Sequence, residues 1–420
     1  GFLKTLPNSS NPIASPFVTE STLLRSLTCR GSCRKDVVAL QMVVAIDPAT
    51  GKHIHAATED SSRGTSHHEY FKSVVGFPHQ HDSRCGPYGL RIMQSLPSPI
   101  SNLSSCITYR WMFERRNGMK LAVEFPSVSY REGADGVIRL AKAIEDIGYD
   151  QLDMFDHVVM GYPTDTRVAP IYPPQMPILE ALMTLAFVAS HTHKIGLGTE
   201  VLVLPQRQPV LVAKQISTLD TLTGGRIRLG VGVGWQESEY DALEETFSNR
   251  GQRMDQAIAV LRSYWGDERI DYQHQHYSSV AMAMEPKPPQ GKGLPIWIGG
   301  NAEAALKRVG EVGDGWLATA IEDPSIAKRC KDKISNFAEA AGRDPGEIGY
   351  QMMLDVPPRD EEGKKFYQNL DRVVARVEAV ENMGFEWGAL NATAIFQAGA
   401  RSIDEIIDTL GKVHDAVRGR

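Results

Sequence analysis

Thr221–Trp235 reads TLTGGRIRLGVGVGW, and its glycines are spaced for chemistry at an open backbone. Gly224-Gly225 ends a helix in the left-handed conformation. The run Ile227–Val231 has the length and apolarity of a buried parallel strand. Gly232 and Gly234 then leave room for a ligand to approach the main chain, with the Trp235 ring beside it. A glycine-rich turn packed for its own sake fits the same spacing. A second locus, Gly299-Gly300-Asn301, follows PIWI and opens a helix at Ala302. Free amides and the positive end of the helix dipole at such a start favour an anion, phosphate above all; a turn that needs only supple backbone is the alternative. Asp156-His157 closes another apolar run and forms a candidate acid–base pair, because histidine titrates near neutrality. A structural Asp capping the next loop beside a solvated His is the competing reading. Glu124 and the stretch Thr199, Glu200, Val201 sit at or near the ends of two more runs. No Ser-His-Asp or Cys-His set and no metal-ligand spacing stands out in residues 119–420, so the reading is metal-free, with a bound cofactor carrying the reaction.

These residues must be positioned by strands. Apolar runs at Lys120–Phe125, Gln151–Phe155, Lys194–Leu204, Ile227–Val231, Pro295–Gly300, Gly315–Ala320, Ile348–Leu354 and Trp387–Thr393 alternate with helical periods. Among the latter are Val137, Leu140, Ala141 and Ile144 on one face, and Ile403, Ile406, Ile407, Leu410 and Val413 on another. Eight strict alternations predict an α/β protein, a (β/α)8 TIM barrel over residues 119–420, with an insertion after strand four spanning Gln236–Pro295. A doubly wound open sheet is the alternative. In a barrel the carboxyl ends of the strands line the site, where all the candidate residues fall.

Residues 1–118 read differently. They hold 13 Lys+Arg against 8 Asp+Glu, whereas the rest holds 32 against 43. Four of the five cysteines (Cys29, Cys33, Cys85, Cys106) fall there too. Serine clusters and scattered prolines without a sustained period predict a poorly structured N-terminal extension, disordered or non-native. Its one apolar run, Val37–Ile46, suits a short strand or a helix. His67, His68, His79, His81 and Cys85 invite a metal, but their spacing matches no standard site. The barrel needs no disulfide, since only Cys330 lies in it, which predicts a cytoplasmic protein. No apolar run reaches bilayer length, and the formal net charge of −6 opposes nucleic acid, leaving a small-molecule substrate as the partner.

Four segments carry a family likeness: GYDQLDMFDHVV, KIGLGTEVLVLPQRQPVLVAKQISTLDTLTGGRIRLGVGVGW, RGQRMDQAIAVLRSYW and PIWIGGNAEAALKRVGEVGDGW. In this order they resemble the luciferase-like monooxygenase superfamily, and within it the oxidoreductases that use the deazaflavin coenzyme F420. The likeness spans about Met119 to Gly411. It implies a homodimeric barrel binding a flavin or deazaflavin at the carboxyl ends of the strands. Asp156 and His157 would lie beside the cofactor ring, and Glu200-Val201 would form a non-proline cis peptide behind it. Thr199, Gly232, Gly234 and Trp235 would contact the cofactor, and Gly299, Gly300 and Asn301 would take its phosphate. Arg207, Lys214 and Arg253 are basic candidates for an anionic tail. Trp235 stands where several sugar-phosphate-oxidising members carry an acid, which turns attention to His157 and, secondly, to Glu124 as acid or base. The implied activity is hydride transfer between coenzyme F420 and a small organic substrate. An FMN-dependent monooxygenase using reduced flavin and oxygen, or a non-catalytic flavin-binding barrel, remains as the alternative.

Overall fold

The computed structural model describes residues 118–166, 171–356 and 360–420, together with three strands earlier in the chain. Two units are distinguished, Gly1–Pro99 and Ile100–Arg420. In the first, β1 (Ser26–Leu27), β2 (Leu40–Ile46) and β3 (Ile54–Asp60) form an antiparallel sheet in that order. Most of the apolar run 37–46 is therefore strand, paired from Leu40 opposite Asp60 to Ile46 opposite Ile54. The metal candidates His67, His68, His79, His81 and Cys85 lie outside the described residues.

The second unit alternates strands and helices. Its strands are β4 (Lys120–Glu124), β5 (Gln151–Met154), β6 (Gly196–Thr199), β7 (Leu202–Val203), β8 (Ile227–Gly232), β9 (Ile270–Gln273), β10 (Ser278–Met282), β11 (Ile296–Gly299), β12 (Gly315–Ala318), β13 (Gly349–Met353) and β14 (Trp387–Asn391). Its helices are α1 (Gly133–Ile147), α2 (Ala181–Ala189), α3 (Pro209–Thr223), α4 (Glu237–Ala242), α5 (Arg250–Gly266), α6 (Glu303–Val312), α7 (Pro324–Ala340), α8 (Glu361–Lys364), α9 (Leu370–Asn382), α10 (Ala392–Gln397) and α11 (Ile403–Arg418). Parallel pairing runs from β4 through β5, β6 and β8 to β11, then through β12 and β13 to β14, and β14 returns to β4 with Trp387 opposite Lys120. Eight parallel strands thus close on themselves, and the (β/α)8 barrel is the observed fold; an open sheet would have kept two unpaired edges.

The helices form for the reasons their periods suggest. In α1, Val137, Leu140, Ala141 and Ile144 are buried on one face, and Gly148 ends the helix at φ 105°, where a side chain would be strained. In α11, Ser402 and Glu405 make a reciprocal capping box ahead of the buried Ile403, Ile406, Leu410 and Val413.

Two stretches differ from the sequence expectation. The single strand expected over 194–204 is broken into β6 and β7, with a cis peptide bond at Glu200–Val201 between them. β7 moves on to the far end of β8, placing Leu202 opposite Val231 and Val203 opposite Gly232. The insertion after strand four also divides. Its helix α5 buries Met254, Ile258, Leu261 and Trp265, and the Trp265 indole donates to the Ala213 carbonyl of α3 at 3.0 Å, so α5 belongs to the ring of barrel helices. The added parts are α4 and the β9–β10 hairpin.

Within each strand alternate residues face the helices and the barrel interior. Leu121, Val123, Leu152, Leu229, Val231, Ile296, Ile298 and Met352 belong to the apolar layer under the helices. The intervening positions include the polar or small Asp153, Arg228, Gly230 and Gln351 and the large Trp297. Gly230 marks the tightest approach. A Cβ there would lie 1.9 Å from the Thr199 carbonyl oxygen and 2.7 Å from Leu317 Cδ1. Gly230→Ala is expected to cost about 3 kcal/mol, because main chain must move. The urea midpoint measures it, and an unchanged midpoint would show that β6 can shift freely.

Candidate active site

Arg228 anchors the polar interior. Its Nη2 donates to Asp153 Oδ2 at 2.6 Å, and its guanidinium lies 4.6 Å from the Trp297 ring centroid and 4.9 Å from that of Trp387. Gln151 Nε2 donates to Asp153 Oδ1 at 2.8 Å. Asp153 is wholly buried, so this pair and its aromatic flanks replace water for both charges.

Around it stand three carboxyls from strand ends. Glu124 closes β4, in register with Asp153 on one side and Asn391 on the other. Glu200 follows β6, and Gln351 Nε2 donates to its Oε2 at 2.8 Å. Asp355 follows β13 and accepts from the Tyr367 hydroxyl at 2.5 Å and the Asn391 amide at 3.3 Å. Burial pushes Glu124 well above the usual carboxylate range, and Glu200, Asp355 and Asp153 push it further. Burial and Asp153 push Glu200 up to about 8, against the pull of Arg228 and the Gln351 hydrogen bond. Asp355 is also raised, by burial.

The break in strand three carries Thr199, Glu200 and Val201. Thr199 Oγ1 donates to the Gly230 carbonyl at 2.6 Å and ties β6 to β8. Val201 fills the space that side chains would need at the next two strands. A Cβ on Gly232 would come within 2.6 Å of Val201 Cγ2, and one on Gly299 within 2.7 Å of Val201 Cγ1. The two glycines admit Val201 before they admit any ligand. Gly234, at φ 67°, then turns the chain toward Trp235.

Asp156 holds that break in place. It accepts from the Val203 amide at 2.9 Å, and Arg207 reaches both its oxygens at 2.7 and 2.8 Å. Burial raises its pKa more than Arg207 and the Val203 amide lower it. Arg207→Lys is expected to cost about 2 kcal/mol, because one ammonium cannot make the two-pronged contact. Thermal unfolding measures this, and full stability in the variant would remove the latch.

His157 is paired elsewhere than its neighbour in sequence. Its Nδ1 lies 3.1 Å from Glu239 Oε2, and both residues are buried. The same Glu239 accepts from the Val158 amide at 2.5 Å and the Val159 amide at 3.3 Å. Gln236 adds two bonds to this loop, from the Gly161 amide at 3.2 Å and to the Val159 carbonyl at 2.7 Å. Burial works to raise the Glu239 pKa, but hydrogen bonds from His157 and Gln206, the His157 charge and the Val158 amide outweigh it and hold the group ionised. An ionised Glu239 assigns the proton of neutral His157 to Nδ1, which makes Nε2 the nitrogen that exchanges protons. The His157 ring meets Trp235 edge-on at 5.3 Å and Tyr172 at 5.7 Å, and Phe155 packs on Tyr172 at 6.5 Å. The Tyr172 pKa is raised by burial and then by Glu124 and Asp355, which places its hydroxyl in the field of the carboxyls.

The third locus is at the end of β11. Gly300 has φ 110°, and Asn301 Nδ2 donates to Thr319 Oγ1 at 2.6 Å. Ala302 is the N-cap of α6 and no side chain caps the first amides of the helix, which is the condition for an anion to do so. Glu303 in the first turn is paired with Lys333 at 2.5 Å. The three basic candidates are engaged: Arg207 with Asp156, Lys214 with the Glu285 carbonyl, and Arg253 with Glu245.

The barrel thus gathers Glu124, Asp156, His157, the Thr199–Val201 break, Gly232–Trp235 and Gly299–Asn301 at one end, but it does not join Asp156 to His157. Glu239, Tyr172, Arg228, Gln351 and Asp355 escaped the sequence reading. Asp355 follows its strand as Glu124 ends its own, so the same rule could have found it. Nothing in the sequence pairs Glu239 with a residue 82 positions earlier.

The luciferase-like monooxygenase family model matches residues 116–362, more than half of the chain. The chain belongs to this family. An uncharacterised protein of Mycobacterium tuberculosis is 31% identical over 220 residues, covering 50% of this chain and 74% of that protein. An F420-dependent glucose-6-phosphate dehydrogenase of Microbacterium testaceum is 26% identical over 236 residues, 55% of this chain and 67% of its own. Among solved structures, an F420-dependent secondary alcohol dehydrogenase, in complex with an F420–acetone adduct, superposes with a TM-score of 0.59 at 18% identity, covering 72% of this chain and 99% of that one. The oxygenating constituent of 3,6-diketocamphane monooxygenase of Pseudomonas putida, in complex with FMN, gives 0.55 at 16%, covering 71% and 98%. At these identities the structures speak for the fold. Family membership makes the chain an oxidoreductase. Among the described residues, no helix is long and apolar enough to cross a membrane, and no group of three or more His, Cys, Asp or Glu is arranged to hold a metal ion.

Proposed function

We propose that this chain transfers a hydride between coenzyme F420 and a small organic substrate. One arrangement carries the reading: the uncapped start of α6 opens at the same end of the barrel as the Val201 break and the His157–Glu239 pair. The residues fit such a group. Val201 packs against the glycine strands as a firm backing, Trp235 stands partly exposed, and no side chain caps the first amides of α6. Val201, Gly234, Trp235 and the Gly299–Asn301 turn would hold the cofactor. Bound deazaflavin supplies a carbon that takes up or gives back a hydride.

The protein's part is the proton. His157 Nε2 accepts the substrate proton in oxidation and returns it in reduction, while Glu239 fixes the tautomer and stabilises the imidazolium. The Trp235 and Tyr172 rings keep water from the site. Asp156 acts through Val203 and Arg207 as a positioning residue, and Glu124 faces the substrate. Named relatives favour F420, and the FMN-bound structural neighbour keeps reduced flavin with oxygen as the second reading.

The test is titration of the full chain with coenzyme F420 and, separately, FMN, followed by tryptophan fluorescence, with Trp235→Phe identifying the reporter among six tryptophans. Coenzyme F420 is expected to bind at least about tenfold tighter, a difference of about 1.4 kcal/mol. Tighter FMN would move the chain to the oxygen-using reading, and binding of neither would leave a barrel without turnover.

A further inference from the structure

The carboxyls at the barrel mouth outnumber what a proton relay needs. Among the described residues, none of Glu124, Glu200 and Asp355 has an ion-pair partner. Arg228 pairs with Asp153 through Nη2 between its two tryptophans, its Nε and Nη1 make no hydrogen bond, and it reaches Glu200 only through its field. Arg376 donates to the Leu354 carbonyl and reaches Asp355 only through its field. Glu124 accepts no hydrogen bond from the described residues, although burial and Glu200, Asp355 and Asp153 all act on it.

Gln351 points to a missing occupant independently. It is wholly buried, its Nε2 is spent on Glu200, and its Oε1 has no partner. A buried acceptor left open beside three carboxyls asks for donors and positive charge. The rings of Phe155, Tyr172 and Trp235 supply π faces and apolar area at the same mouth.

We propose that the site selects a small organic cation, a protonated or quaternary nitrogen compound with an apolar body, held by Glu124, Glu200 and Asp355 against these rings. The inference rests on the reading of the barrel mouth as the substrate site. It sets this chain apart from relatives whose named substrate is a sugar phosphate, because the negative charge of a phosphate ester opposes the ionisation of these carboxyls and a cation favours it. It also carries a proton signature. The groups that face one another are Glu124, Glu200, Asp355, Asp153, Tyr172, Tyr367, Arg228 and Arg376. Burial raises the pKa of these carboxyls, that of Glu200 to about 8, and a bound cation favours their ionised forms, so cation binding at pH 7 releases a proton.

The experiment is calorimetric titration of the full chain at pH 7, in phosphate and in Tris, with benzylammonium, benzyl alcohol and glucose 6-phosphate. Each is run with and without saturating coenzyme F420. Benzylammonium is expected to bind at least about tenfold tighter than benzyl alcohol. Its heat should differ between the buffers by the ionisation of the released proton, and glucose 6-phosphate should not bind. Glu124→Gln, which breaks no protein hydrogen bond, should bring benzylammonium to the level of the alcohol. Equal binding of the two benzyl compounds, no binding of either, tighter binding of glucose 6-phosphate, or an indifferent Glu124→Gln overturns the proposal. Coenzyme F420 binding without cation preference removes the substrate class alone; cation preference without coenzyme F420 binding removes the cofactor reading alone.

Discussion

Replacing His157 by alanine is expected to lower kcat by about 10²–10⁴-fold, the usual worth of a positioned proton-transfer group. Folding should survive, because the buried Glu239 keeps the Val158 and Val159 amides as partners. Cofactor affinity should also survive, since the ring contributes an edge to Trp235 and no hydrogen bond to the α6 start. Glu239→Gln provides the finer test. The amide still reaches the imidazole but no longer sets its tautomer by charge or stabilises an imidazolium, so kcat should fall less than in His157→Ala and its pH profile should move. Steady-state kinetics with the electron donor or acceptor found by the binding assay measures both. Full turnover in His157→Ala would assign the proton step to another group, with Glu124 next in place.

Arg228→Ala should be the most damaging substitution in the barrel interior. It strips the wholly buried Asp153 of its cation and empties the space between Trp297 and Trp387. Breaking one half of a buried pair costs about 3–5 kcal/mol, more than the pair itself is worth. The loss should depend on pH. Glu200 binds its proton up to about 8 in the folded chain against an ordinary 4.5, so between those values the native state holds more protons than the unfolded one. Stability therefore falls as pH rises through that window and levels above it. Arg228 is among the groups holding Glu200 down; without it the decline should extend to higher pH. Urea unfolding of both proteins at pH 5, 7 and 9 measures this. A parallel pair of curves would show that Arg228 does not act on Glu200. Asp153→Asn placed on Arg228→Ala should recover much of the loss, since the stranded charge is then gone.

Much of this molecule was legible in the one-dimensional chain. Eight apolar runs alternating with helical periods require a parallel sheet covered by helices and favour a closed one, because each helix must bury its stripe and each strand both faces. Capping signals such as Ser402 with Glu405, and Gly148 after α1, act over a few residues. The end at which the candidate residues gather followed too, since a residue at a strand's carboxyl end lies there whatever its partners. Partners did not follow. Asp156 and His157 are neighbours in sequence, yet one closes on Arg207 and the other on Glu239, because adjacent residues leaving a strand point to opposite sides. Gly232 and Gly299 read as openings for a ligand, but their missing side chains are answered first by Val201, reached only once β6, β8 and β11 are aligned. The carboxyl cluster, its open Gln351 oxygen and the Arg228 sandwich assemble from β4, β5, β6, β8, β11, β13 and β14. The sequence by itself determined the elements and the end at which they place the candidate residues, since periodicity and caps are local. Only the tertiary structure decided which charges meet, because burial and pairing depend on distances that closing the barrel creates.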